Sequence, residues 1–275
     1  MLGLEWRAMT ATNLFDAALD CLRAGEAEDK VALTRAVARA WREGRLTRED
    51  ATPVATVAAP GRPARLRLVL PRELPRRRPD STEGRAILFH ALTHIEFNAI
   101  NLAWDAVYRF RAMPAAFYDD WIRVAEEEAH HFELLRAHLN TLGAEYGDWP
   151  GHNGLWEMAL KTAHDPLVRM ALVPRCLEAR GLDVNPGIQD KLRAVGDTEG
   201  CALLDIILRD EIGHVAIGDR WFRHLCAARG LAVETTYRGL LAEYMKGPLK
   251  GPFHLEARRR AGFSEAELAY LQGVG

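Results

Sequence analysis

At 275 residues the chain can bury a large core, and 48% apolar with 27% charged residues is the balance of an ordinary globular protein. A formal net charge of −2 gives no whole-molecule attraction to nucleic acid or anionic lipid, and no apolar run approaches the roughly 18–20 residues that cross a bilayer. The four cysteines, Cys21, Cys176, Cys201 and Cys226, are too scattered for a disulfide framework or a thiolate zinc site, so a reducing cytoplasm is the expected setting.

The opening stretch Met1–Asp20 carries Glu5, Asp16 and Asp20 and lacks the basic and apolar regions of a signal peptide. From Leu14 to Gly44 apolar residues fall at helical spacing, with a break near Gly25, which predicts two helices. Between Ala51 and Asp80 six prolines (Pro53, Pro60, Pro63, Pro71, Pro75, Pro79) remove the amide donors a helix needs. That stretch reads as an extended wrap, with a short strand-like piece at Arg65–Leu70. Asp80 and Glu83 form a candidate capping pair for a long helix reaching about Met113. Pro114 suits the first turn of a second, which stops at Gly143. A connection through Tyr146 and Pro150 and a short segment at Leu155–His164 follow. A third long helix is predicted from Pro166 to about Gly181, kinked at Pro174, then a turn-rich link over Asp183–Asp197. A fourth spans about Thr198–Arg229, with further helices near Glu234–Met245 and Glu265–Leu271. The segments are therefore 1–50 (N-terminal helices), 51–80 (Pro/Arg-rich wrap), 81–230 (long helices) and 231–275 (C-terminal extension). The class is all-α.

A polar residue stands within the apolar stripe of each long helix. Glu96 lies among Phe89, Leu92, Ala99, Ile100, Ala103 and Val107. Glu128 follows Trp121, Val124 and Ala125, with His131 one turn on. Glu178 shares the side of Leu167, Met170, Ala171 and Pro174, and Glu211 follows Leu204, Ile207 and Leu208, with His214 one turn on. Several inward carboxylates carry a desolvation cost unless positive charge lies between them. Two divalent ions supply it, because Glu-x-x-His places an oxygen and a nitrogen ligand on one helix face and single glutamates can bridge. Glu96 precedes Glu128 by 32 residues and Glu178 precedes Glu211 by 33, so each half reads as an antiparallel pair carrying a Glu and then a Glu-x-x-His. The candidate metal ligands are Glu96, Glu128, His131, Glu178, Glu211 and His214. Glu127 with His130 fits the same spacing, but Arg123 one turn away turns that pair toward solvent.

The segments HIEFNAINLAWD (94–105), FYDDW (117–121), EEEAHHFELL (126–135), LEARGLDVNP (177–186) and DEIGHVAI (210–217) resemble a bacterial ferritin-like family catalogued as a domain of unknown function. The likeness runs from about Ser81 to Cys226. It implies a ferritin-like four-helix bundle, with additional N- and C-terminal helices here, and a di-iron carboxylate site whose ligands match the six residues above. It names no substrate. A more distant likeness, at the level of fold alone, links such bundles to tRNA-modifying hydroxylases.

Other residues have both a functional and a plainer reading. Glu127 and Asp210 precede Glu128 and Glu211, and could accept the second ring proton of a ligand histidine or simply be surface acids. His90 and His94 lie off the face of Glu96 and read as structural or supporting residues. Tyr108, Tyr118 and Trp121 read as packing, and Cys176 as a plain buried thiol. Arg62, Arg65, Arg67, Arg72, Arg76, Arg77 and Arg78 could clamp phosphates of an RNA or nucleotide, but without interleaved aromatics they read better as a solvated arm or ion-pair partners. The expected function is a di-iron oxidoreductase using dioxygen on an unknown organic or tRNA substrate, with iron ahead of manganese or zinc. A small homo-oligomer and no membrane partner are expected. The alternatives are iron storage or detoxification, and a helical scaffold with a structural metal.

Overall fold

The computed structural model describes residues 12–49, 52–245 and 247–273. Most of the Met1–Asp20 stretch, the 50–51 boundary and the ends of the outer segments lie outside these residues. Among the described residues the regular elements are all helical. Two short helices, α1 (Leu14–Arg23) and α2 (Ala27–Arg42), lead in. Lys30 of α2 is fully buried, and its Nζ donates to the α1 carbonyls of Cys21 (2.6 Å) and Leu22 (3.3 Å).

Residues 52–80 run mostly without regular structure. The expected strand at Arg65–Leu70 is only an isolated bridge, Leu68 to Gly151, because one neighbour is too little partner for a sheet. Arg65 pairs with Asp148, which helps hold the wrap to the body.

Helix α3 (Thr82–Arg109) is capped by Ser81, whose Oγ accepts from the Gly84 amide at 3.0 Å. This is one residue beyond the expected Asp80 pair. Helix α4 (Ala115–Thr141) packs along α3 and ends before Gly143 at φ 78°. The chain then crosses over through α5 (Gly154–Lys161). The cross-over is tied to α3 by His94, whose Nδ1 meets Tyr146 Oη at 2.9 Å, and by His90, whose Nε2 accepts from the Gly147 amide at 2.9 Å. Burial pushes both imidazoles down to about 4, so they act as neutral struts. Arg169 reinforces the join, donating to Asp105 Oδ2 (2.6 Å), Thr162 Oγ1 (2.7 Å) and Ala159 O (2.6 Å).

Helix α6 (Pro166–Leu172) opens under the Asp165 cap and passes into a π turn, Val173–Glu178, before α7 (Ala179–Ala194). The expected kink at Pro174 is therefore a widened turn that absorbs the missing proline amide. The expected link over Asp183–Asp197 is helical to Ala194, even though Pro186 lies inside it. Tertiary bonds override local preference there: Asn185 Nδ2 donates to Leu204 O at 3.0 Å, Gln189 Nε2 reaches Asp205 at 2.7 Å, and Arg258 grips Asp183 at 2.7 Å. Helix α8 (Thr198–Ala228) packs on α6, the π turn, α7 and α4. Its Gly218 lies against Pro174, where a Cβ would sit 2.3 Å from the proline ring. Helices α9 (Val233–Tyr244), α10 (Leu255–Arg260) and α11 (Glu265–Gln272) close over this side. No helix among the described residues is long and apolar enough to cross a membrane.

Candidate metal centre

Helices α3, α4 and α8 bring four side chains to one point. Ligand atoms of Glu96, Glu128, His131 and Glu211 all lie within 4.8 Å of one another. His214 joins them, its Nδ1 standing 3.0 Å from Glu128 Oε1 and 3.7 Å from Glu211 Oε1. Glu178, delivered by the π turn, lines the same side of the core as Glu96 and Glu211 but is not among the four that meet within 4.8 Å. Glu128, His131 and His214 are fully buried, whereas His130 and Arg123 are exposed, so the register with Glu128 and His131 inward is the one the fold adopts.

The two imidazoles are held alike, each turning Nδ1 inward and Nε2 outward. His131 Nε2 meets Asp210 Oδ2 at 3.2 Å, and His214 Nε2 meets Glu127 Oε2 at 2.7 Å. The supporting acids act crosswise: the one on α8 steadies the histidine of α4, and the one on α4 steadies the histidine of α8. An Nε2–H given to a carboxylate leaves Nδ1 with its lone pair facing the cluster, which is the ligand tautomer.

Protein groups do not satisfy this cluster. Glu96 Oε2, Glu178 Oε2 and Glu211 Oε2 are buried without a hydrogen-bond partner. Burial and the neighbouring carboxylates hold Glu96, Glu178 and Glu211 above the usual carboxylate range. Burial also disfavours the charge on Glu128, but His214 and His131 outweigh it and hold that carboxyl low. Burial opposes charge on both histidines as well, and the adjoining carboxylates overcome it, so both are raised. Without a cation the cluster can balance itself only with protons. Four carboxylates and two neutral imidazoles match two divalent cations in charge and in donor type.

A cavity of about 330 Å³ opens onto the cluster. It reaches Glu96, Glu178 and Glu211, while Glu128, His131 and His214 do not line it. The histidines and Glu128 thus back the centre, and Glu96, Glu178 and Glu211 front it. In the sequence Arg77 reads only as part of an arginine-rich arm, yet it lines this cavity with Arg180. No spacing rule connects a loop arginine to a distant helix groove. Tyr108, Tyr118 and Trp121 do not line it; Tyr118 Oη donates to Phe110 O at 2.9 Å and Tyr108 Oη accepts from the Ala55 amide at 2.8 Å. Cys176 is buried, and burial pushes its thiol up to about 11.

A family model described as a protein of unknown function, DUF455, matches residues 23–269. The chain belongs to the DUF455 family. The matched span runs from the end of α1 into α11 and takes in all six candidate ligands. An uncharacterized protein of Haemophilus influenzae is 49% identical over 214 residues, which is 75% of this chain and 74% of that protein. No solved structure matches the chain at a significant level.

Proposed function

We propose that this DUF455 chain is a ferritin-like four-helix bundle that binds two metal ions, iron in preference to manganese or zinc, and works as an oxidoreductase using dioxygen. The observation that carries the proposal is the set of three buried carboxylate oxygens, from residues lining one cavity, left without partners. Their neighbours supply the donor set of carboxylate-bridged di-iron bundles, a Glu from each of two helices and a Glu-x-x-His from each of two others. A bound iron pair would supply the electrons that reduce dioxygen. Glu128, Glu211, His131 and His214 hold the ions, with Glu96 and Glu178 completing the charge. Glu127 and Asp210 fix the histidine tautomers. The largely apolar surface of the cavity supports an organic substrate over iron storage, since an iron-entry route would be polar over most of its wall.

The test is metal content after anaerobic purification, followed by optical spectra as oxygen is admitted. About two irons per chain, the number the donor set would hold, with a new near-ultraviolet absorption on oxygen exposure, is the expected result. Glu128→Ala and Glu211→Ala should each lower the metal content. A folded wild-type chain that carries no metal and takes up none would overturn the proposal.

A further inference from the structure

We infer that the cavity takes an amphipathic anion, with its apolar body between α3 and the α7–α8 pair and its carboxylate or phosphate group against Arg77. This inference rests on the proposed function, because the floor of the cavity is the same carboxylate cluster.

Three features of the cavity lead there. Its walls are largely aliphatic, with Ile95 from α3, Val184 and Ile188 from α7 and Leu204 from α8, interrupted by Asn98 and Asn185. Water along such a wall finds few partners, so an apolar body gains by displacing it. Helix α3 packs along α4 but makes little contact with α7 or α8, so the groove between them is an opening of the fold.

The second feature is the position of the arginines. Arg180 is fixed by three backbone carbonyls, those of Lys250 (3.0 Å), Gly251 (3.4 Å) and Pro252 (2.8 Å), with Asp183 at 3.6 Å. Arg77 differs. Among the described residues no carboxylate lies within ion-pair distance of it, whereas Arg65 of the same segment pairs with Asp148. Its side chain lines the cavity while staying open to solvent. A cation without a counter-ion at a cavity rim is a place for a ligand anion.

The third feature is polarity. Glu96, Glu178 and Glu211 at the floor offer no positive charge of their own, so the charged end of the ligand stays with Arg77 and the apolar end reaches toward the centre. Arg77 is thus a specificity residue that orients the substrate.

The experiment is calorimetric titration of the protein as purified, with octanoate, octyl phosphate, octanol and octylamine. Octanoate or octyl phosphate should bind about tenfold or more tighter than octanol, the value of one charge-assisted contact, and octylamine should not compete. The order of the two anions tells a carboxylate substrate from a phosphate one. Arg77→Gln should bring the better anion to the level of octanol and leave octanol unchanged. Arg72→Gln, in the same segment but away from the cavity, should change neither. Equal binding of octanol and the anions, an unaltered anion preference in Arg77→Gln, or no anion binding at millimolar concentration would each overturn the inference. Metal content measured on the same samples separates the two ideas. A protein that prefers the anion through Arg77 but takes up no metal sinks the di-metal reading alone. One that holds metal without the preference sinks this inference alone.

Discussion

His214 stands between three carboxylates, with Glu128 and Glu211 on the side of Nδ1 and Glu127 on the side of Nε2. Removing the outer acid should loosen the ring without removing a ligand. Glu127→Gln and Asp210→Asn are therefore expected to weaken metal binding about 10–100-fold, read by competition with a chelator, while the fold is kept. An unchanged affinity in both would mean that these acids are only surface charges. Their role was half-legible: the acid preceding each inner glutamate is visible in the sequence, but its crosswise reach is a product of α4 packing on α8. Lys30 was not legible as a polar core residue, because a lysine in an amphipathic helix normally faces water. Burial brings its amine down to about 7 against 10.5 for a free lysine. In that window the unfolded chain holds more protons than the folded one, so stability should rise with pH from about 7 to about 10.5, by up to about 5 kcal/mol. Lys30→Met should remove that rise. Denaturant melts of both proteins at about pH 7 and pH 9.5 check it, and equal slopes would refute it.

Among the elements, the π turn at Val173–Glu178 governs where one glutamate stands. Two devices hold it. Gly218 leaves room for the Pro174 ring, and Arg175 is enclosed by Phe222, Tyr237 and Phe263, with its guanidinium carbon 4.1–4.7 Å from their ring centres. Arg175 also pairs with Asp219 and with Glu267 of α11, so the C-terminal extension clamps the turn that presents Glu178. Arg175→Leu leaves those two buried acids with Arg223 as their one remaining cation and should cost about 3 kcal/mol in denaturant melts. Gly218→Leu should move Pro174 and lower metal content more than it lowers stability. Full metal loading in that variant would show that the turn does not position Glu178. The long helices could be read from the sequence because a charged residue inside an apolar stripe is conspicuous. Helix α7 could not, since Pro186 and its neighbouring Asp, Asn and Gly residues speak locally for a turn and only contacts to α8 and α10 hold it helical.

For the molecule as a whole, the carboxylate cluster is a strained part of the core that a cation would relieve. A metal that binds the folded chain alone stabilises it by about 2.7 kcal/mol at a hundredfold excess over its dissociation constant. Metal removal should therefore lower the melting temperature by several degrees, and binding should release protons, because Glu96, Glu178 and Glu211 favour their neutral forms without it. A melting temperature indifferent to metal would contradict both expectations. The all-helical class and the convergence of the inner residues could be anticipated, since periodicity sets which side of each helix is buried. The cavity could not, because it depends on how far α3 stands from α7.

The 32- and 33-residue spacings make the α3–α4 half and the α6–α8 half two renderings of one hairpin, each lending the other an acid for its imidazole. One chain thus imitates a dyad. The imitation is inexact: Glu96 comes from an unbroken α-helix and Glu178 from the wide turn beside Pro174, and both histidines turn Nδ1 to Glu128. A centre built on a broken dyad has two inequivalent positions, so two ions should enter in separable steps of different affinity. It also has a handedness that a symmetric cluster would lack, and that would let a bound molecule be approached from one side only.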